Sequence, residues 1–252
     1  MLTTLKAALP GRGSGLPGDL LTREVTVDAD HLADYAHLCG FTLRDELPPT
    51  YPHVLGHPLH MALLGKAPFS AVGVVHIANR IVQHRPLLLG EDLTITASVR
   101  GFEPHRRGKT FDFVTEARVR DELVWQGFAT NLKRGAGDES VPKPPAFEPP
   151  PVTAQWRVAD DLGRRYASVS GDRNPIHLHP ITAKALGFPR AIAHGMWTKA
   201  RCLASLRLPD AFAVEVRFKQ PILLPSKVTF GEDGDRFAVH GHLEGELVKL
   251  AD

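Results

Sequence analysis

The sequence predicts an α+β protein made of two repeats, each a helix wrapped by an antiparallel sheet, joined by a proline-rich linker. Three observations carry that prediction. A helical segment followed by several β-branched, partly alternating segments occurs twice along the chain, the layout of a helix packed on antiparallel strands. Residues 134–151 hold six prolines among Gly, Glu, Asp and Ser, the composition of an extended, solvated connector. Letters also recur in order. Tyr35-Ala36 and Gly40 stand 131 positions before Tyr166-Ala167 and Gly171, Pro52 and His57 stand 137 before Pro189 and His194, and Pro86, Leu88 and Leu89 stand 135 before Pro221, Leu223 and Leu224. Three nearly constant offsets argue for an internal duplication with small insertions. The chain therefore divides into an N-terminal repeat over 1–133, a linker over 134–151 and a C-terminal repeat over 152–252.

Taken in order, residues 1–20 are rich in Gly, Pro and Leu with little periodicity and read as a loose lead-in. Thr22 to Val27 alternates as a strand does, and Asp28 is a natural N-cap for a helix to Leu38 that Gly40 ends. The four prolines between residues 41 and 58 predict irregular chain there, with a short helix at Leu59 to Leu64. Strands follow at Val72–Val82, Leu93–Val99, Thr110–Arg118 and Leu123–Leu132. After the linker the order repeats. A helix is expected at Val158–Val169, an irregular segment at Gly171–Arg190, a helix at His194–Leu206, and strands at Ala213–Lys219, Lys227–Gly231, Arg236–His242 and Glu246–Leu250.

Composition excludes several classes. Hydrophobic residues at 43% and charged residues at 23% are those of an ordinary globular protein. A net charge of +2, from scattered Lys and Arg among almost as many Asp and Glu, leaves no footprint for nucleic acid or an anionic membrane. The two cysteines, Cys39 and Cys202, one in each repeat, read as reduced buried thiols. No signal peptide or membrane span is legible, so the expected location is the cytoplasm.

The candidate site lies between Tyr166 and Trp197. Asp172, Asn174 and His177 fall within six positions, with Pro175 between the amide and the imidazole. Proline fixes its own φ and drives Asn174 out of the helical region, so the chain turns sharply and can bring Asp172 and His177 to one point. Downstream, His194-Gly195 precedes a helical run, and the Gly195 N–H at its positive end suits a developing negative charge. An acid/base pair with an oxyanion donor is equipment for chemistry beside a carbonyl. Asn174 is expected to orient the pair, or a water, without titrating.

These residues resemble the hydratase motif of the MaoC-like R-specific enoyl-CoA hydratases and 3-hydroxyacyl-thioester dehydratases. The matching positions are Tyr166, Gly171, Asp172, Asn174, Pro175, Ile176 and His177, then His194, Gly195 and Met196. The resemblance is firm over about 155–225 and collinear but weaker over 22–132, where Phe41 to Thr50 lacks the motif. It implies a double hotdog with a degenerate N-terminal repeat that makes room for a longer acyl chain. It also implies a cytoplasmic hydro-lyase of fatty acid metabolism that hydrates 2-enoyl thioesters, on coenzyme A or acyl carrier protein, to R-3-hydroxyacyl thioesters. Asp172, His177, Asn174 and Gly195 would do the chemistry; His194, Arg217 and Lys219 would meet the substrate. No cofactor, nucleic acid or membrane partner is implied, and a homodimer is.

Alternatives exist for each feature. A hotdog thioesterase would attack the carbonyl with water from a differently placed carboxylate, and a non-catalytic acyl-binding subunit would need an active partner. Asp-x-Asn-Pro alone is a common turn. His194 has a counterpart, His57, in the half without the motif, which suits a capping role at the helix start. His53, His57 and His60 are spaced four and three apart, but Pro58 interrupts them and no carboxylate or cysteine completes the set, so no metal is expected. Arg106, Arg107 and Lys109 form a basic turn within reach of coenzyme A phosphates or simply a solvated hairpin tip. The resemblance also implies a hydroxyl on the central helix near the carboxylate; Thr198 and Ser205 are the nearest equivalents, and the spacing singles out neither.

Overall fold

The computed structural model describes residues 16–71 and 73–250, so most of the expected lead-in lies outside the described residues. The elements are β1 (Leu21–Thr26), α1 (Ala29–Cys39), α2 (Tyr51–Gly65), β2 (Val74–Gln83), β3 (Asp92–His105), β4 (Gly108–Val119), β5 (Glu122–Arg134), β6 (Val152–Val158), α3 (Leu162–Ser170), α4 (Pro175–Leu178), α5 (Pro180–Ala185), α6 (Gly195–Leu203), β7 (Phe212–Phe218), β8 (Ser226–Asp233), β9 (Arg236–Val239) and β10 (Leu243–Lys249).

The strands form a single ten-stranded sheet in the order β1-β3-β4-β5-β2-β7-β10-β9-β8-β6, with every pairing antiparallel. Its two halves meet where β2 pairs with β7, from Ala78 opposite Arg217 to Gln83 opposite Phe212. This is the double hotdog sheet expected above, with α2 packed against β3 and β4 and α6 against β9. One apolar core runs through both halves and includes Tyr35, Trp125, Tyr166, Trp197, Phe212 and Phe237; a smaller one gathers Leu63, Ala97, Phe111, Phe113 and Ala129.

The duplication is visible in how helices end. Asp28 caps α1, accepting the N–H groups of Asp30 and His31, and the helix stops at Gly40 with φ of 83°. α3 stops at Gly171 with φ of 74°. A side chain would strain that left-handed backbone at both positions. The apolar spacing of α1 buries Leu32, Tyr35, Ala36 and Cys39 on one face, and the Tyr35 and Tyr166 rings lie 6.2 Å apart where α1 meets α3.

Three expectations are corrected. The stretch over 51–58 is helical: α2 begins at Tyr51, with Pro52 in the first turn, where no intrahelical donor is needed, and continues through Pro58. A mid-helix proline costs about 3 kcal/mol, but Pro58 is exposed while Tyr51, Val54, Leu55, His60 and Leu63 are buried, and that packing keeps the helix intact. Second, Val152–Val158, for which the sequence predicts no strand and a helix starting at Val158, is an edge strand pairing with β8 and stacking Trp156 on Phe230 at 4.8 Å, and the helix begins only at Leu162. The strand's mostly exposed residues hid the pattern. Third, the segment over 171–190 contains the short helices α4 and α5, each opened by proline. The linker is largely exposed but not free. Arg106 Nη1 donates to the carbonyls of Glu139 at 2.6 Å and Val141 at 2.9 Å, and Lys109 sits over the Phe102 ring. Arg106 of the β3–β4 turn thus anchors the linker, while Arg107 and Lys109 stay exposed.

Candidate active site

The turn after α3 is built from its own side chains. The Asp172 N–H donates to Ser170 Oγ at 3.2 Å, Asp172 Oδ1 accepts the Asn174 N–H at 3.1 Å, and Asn174 Oδ1 accepts the Ile176 N–H at 3.4 Å as the N-cap of α4. The Asn174 side chain therefore shapes the turn. α4 carries His177 inward, where only 8% of it stays accessible, while Asp172 keeps 36% of its side chain exposed.

His177 Nδ1 lies 2.8 Å from the Ile192 carbonyl. A carbonyl only accepts, so Nδ1 carries the proton and Nε2 of the neutral ring holds a free lone pair. His194 shows the opposite tautomer: its Nε2 donates to the Asp172 carbonyl at 3.0 Å, and its buried Nδ1 has no partner among the described residues. The two rings stack with centroids 3.6 Å apart, and Tyr166 packs against His194 at 4.8 Å. The ligand atoms of Asp172, His177 and His194 lie within 4.8 Å of one another, a set close enough to hold a water or a cation. The expected capping role of His194 is corrected: it occupies the N-cap position of α6, but its side chain makes no cap bond.

Electrostatics keep this cluster poised. Burial lowers the His177 pKa below 6.5 against the raising pull of Asp172 and the Ile192 carbonyl. Burial and the adjacent His177 bring His194 to about 3. Burial would raise Asp172, but the imidazoles of His194, His177 and His57, together with the Asn174 N–H, hold it below the usual carboxylate range. Near neutral pH the arrangement is thus a carboxylate beside neutral imidazoles.

Gly195 opens α6, where first-turn amides have no partner within the helix. A Cβ there would stand 3.0 Å from the Phe218 ring, so β7 and the helix start are in close contact. Along β7 successive side chains alternate faces. Phe218 faces Gly195, and Arg217 faces away, paired with Glu244 at 3.6 Å; Lys219 pairs with the same carboxylate at 3.2 Å. The structure does not bring Arg217 or Lys219 to the Asp172 cluster.

Four residues at or near the site went unread or misread in the sequence. Ser170 is the hydroxyl at the carboxylate turn, whereas Thr198 and Ser205 donate to carbonyls of their own helix. His57, on α2, lies beside Gly171 and acts on Asp172 from the other half of the molecule. Its repeat offset was the available signal. Lys199, one turn after Gly195, is fully buried with Nζ bonded to Asn79 Oδ1 at 2.6 Å, Asn79 O at 3.1 Å and Val214 O at 3.3 Å. It ties α6 to β2 and β7 across the seam. His76 faces Phe218 with ring centroids 5.0 Å apart.

The profile described as MaoC like domain matches residues 141–231, and the chain is 38% identical to 3-hydroxyacyl-thioester dehydratase X of Mycobacterium tuberculosis over 237 residues, 90% of this chain and 85% of that protein. The chain belongs to the MaoC-like dehydratase family. Membership makes it an enzyme, a hydro-lyase. A crystal structure of HtdX from Mycobacterium tuberculosis superposes with a TM-score of 0.81 at 34% identity, covering 92% of this chain and all of that one. 3-Hydroxyacyl-thioester dehydratase Y of the same organism is 30% identical over 60% of this chain and 55% of its own length. The 12:0-ACP thioesterase of Umbellularia californica shares the fold alone, with a TM-score of 0.52 at 9% identity. No helix among the described residues of this MaoC-like protein is long and apolar enough to cross a membrane.

Proposed function

We propose that this MaoC-like enzyme reversibly adds water across the C2=C3 bond of 2-enoyl thioesters, giving R-3-hydroxyacyl thioesters, with coenzyme A the simplest carrier and acyl carrier protein the other. The observation that carries the reading is the fixed tautomer of His177, whose ring belongs to the same tight cluster as the Asp172 carboxylate.

A water held between Asp172 and His177 loses a proton to this pair as its oxygen attacks C3. The pair then delivers a proton to C2, so hydroxyl and hydrogen arrive on one face. Meanwhile negative charge collects on the thioester oxygen, where the Gly195 N–H at the start of α6 stabilises it. General acid/base help of this kind contributes about 10²- to 10⁴-fold, and one oxyanion donor about 10²- to 10³-fold. Asn174 serves by holding the turn that aims Asp172. Arg217 and Lys219 can meet only a distal part of the substrate, on the outer face of β7. The chemistry uses no metal or other cofactor, so dialysis against a chelator should leave turnover unchanged.

The decisive assay incubates the purified protein with crotonyl-CoA and follows loss of enoyl absorbance beside a thiol reagent. Loss of the double bond without thiol release is expected; thiol release with the double bond intact would establish a thioesterase instead. Activity that appears only after a second polypeptide is added would establish a non-catalytic subunit. The N-terminal repeat, the linker and the C-terminal repeat are read as one functional unit, and the expected homodimer is tested by sedimentation.

A further inference from the structure

The mechanism leaves unused a group of imidazoles in the half that lacks the motif. His53, His57 and His60 come from α2 and His76 from β2. Their rings are contiguous: His53 and His60 lie 5.2 Å apart, His53 and His76 stack at 6.0 Å, and His57 and His60 lie 6.4 Å apart. The group adjoins the site at both ends, because His57 acts on Asp172 and His76 packs on Phe218, which touches Gly195.

His53, His57, His76 and Phe218 are each only half-buried, yet desolvation dominates the titration of all three histidines. These neighbouring rings thus keep part of their surface accessible beside the site. His60 lies behind them, bonded to Thr115 Oγ1 at 2.6 Å and stacked on Phe113. Two further features set His76 apart. Its Nε2 is buried without a partner among the described residues, and the β2–β5 register shifts between His76 and Ala78, a bulge that re-aims the side chain.

We propose that His53, His57 and His76, backed by His60, form a second subsite of the thioester cleft that accepts an acyl chain bearing a hydroxyl or oxo group beyond the reacting carbons. This rests on the enoyl-thioester reading above. A plain alkyl tail would bury these nitrogens without partners, a cost that selects against it. The imidazoles are neutral, with His60 at about 3 and His76 at about 4; a neutral ring has one donor and one acceptor, of which His60 uses one on Thr115 and His76 one on the Ala78 backbone, so His76 Nε2 and the His53 and His57 rings are what can meet a hydroxyl. A carboxylate tail is disfavoured: the nearby Lys199 amine is bonded to three protein acceptors, and burial lowers its pKa well below the usual lysine value.

The test compares kcat/KM of the purified enzyme for an unbranched medium-chain enoyl-CoA and for esters of the same length carrying a hydroxyl at successive carbons of the tail, with an ω-carboxylate ester as a further arm. At least one hydroxylated ester should exceed the alkyl parent on the order of ten-fold, since a site built around hydrogen bonds rejects analogues that lack them. His76→Leu and His53→Leu should collapse that ratio, whereas His53→Gln, which keeps a donor and an acceptor, should preserve most of it. An alkyl parent preferred over every hydroxylated ester, a preference for the carboxylate, or a ratio indifferent to the leucine variants would overturn the proposal. Absence of crotonyl-CoA hydration would instead sink the underlying reading, so the two failures are distinguishable.

Discussion

The imidazoles of His177 and His194 are stacked 3.6 Å apart with their planes at 25°, each locked by a different backbone carbonyl into the opposite tautomer. Protonating either ring sets a charge against the face of the other. The stack helps keep His194 neutral, and burial keeps His177 neutral, which leaves it the lone pair that the proposed chemistry needs.

Asp172→Asn and His177→Ala should each lower turnover on crotonyl-CoA by about 10²- to 10⁴-fold. Circular dichroism and melting temperature should show the fold intact, because neither side chain belongs to the apolar core. Near-normal activity in either variant would refute their roles.

The pH profile should follow from the lowered pKa of His177. A base works unprotonated, and burial moves its pKa below 6.5, so kcat/KM should stay level through neutrality and fall only on the acid side of 6.5. An acid limb centred at or above 6.5 would contradict this.

Stability should fall with acid for a related reason. His60 and His194, both 2% exposed, titrate at about 3 in the folded chain, against 6.5 for a free side chain. Between those values the unfolded chain binds more protons, so stability is full above pH 6.5 and declines below it, by up to about 1.4 kcal/mol per pH unit for each group. Urea titrations at several pH values would measure the slope.

Gly195→Ala keeps the backbone N–H but places a Cβ 3.0 Å from the Phe218 ring. The displaced helix start should cost up to about 10²-fold in kcat. Phe218→Leu in the same chain should recover part of the loss, which a purely conformational effect at residue 195 would not allow.

Lys199→Met should leave Asn79 and Val214 acceptors unpaired at the seam and destabilise the protein by about 1–3 kcal/mol. Adding Asn79→Leu should make the second change cheaper than it is alone, a coupling read by denaturant unfolding of both single variants and the double variant.

Local chemistry made much of this legible. The capping residue Asp28, the stops at Gly40 and Gly171 and the turn at Asn174-Pro175 act through backbone geometry within a few residues, so their letters suffice. The same holds for Asp172 and His177, which a single tight turn brings together. The continuation of α2 through Pro58 was not legible, because burial of Val54, Leu55 and His60 against the sheet outweighs an intrinsic preference. Edge strand β6 was hidden for the converse reason: its exposed residues gave little periodicity.

By itself the sequence determined the α+β duplication, the half that holds the motif and the residues of the turn, all properties carried by neighbours along the chain. Only the tertiary structure decided which tautomer His177 adopts, that Arg217 and Lys219 face away from the cluster, and that His57, His76 and Lys199 approach it. Those depend on a carbonyl 15 residues away, a strand face and a seam between the two halves whose Lys199–Asn79 contact spans 120 residues, and no local pattern encodes such contacts between separate segments.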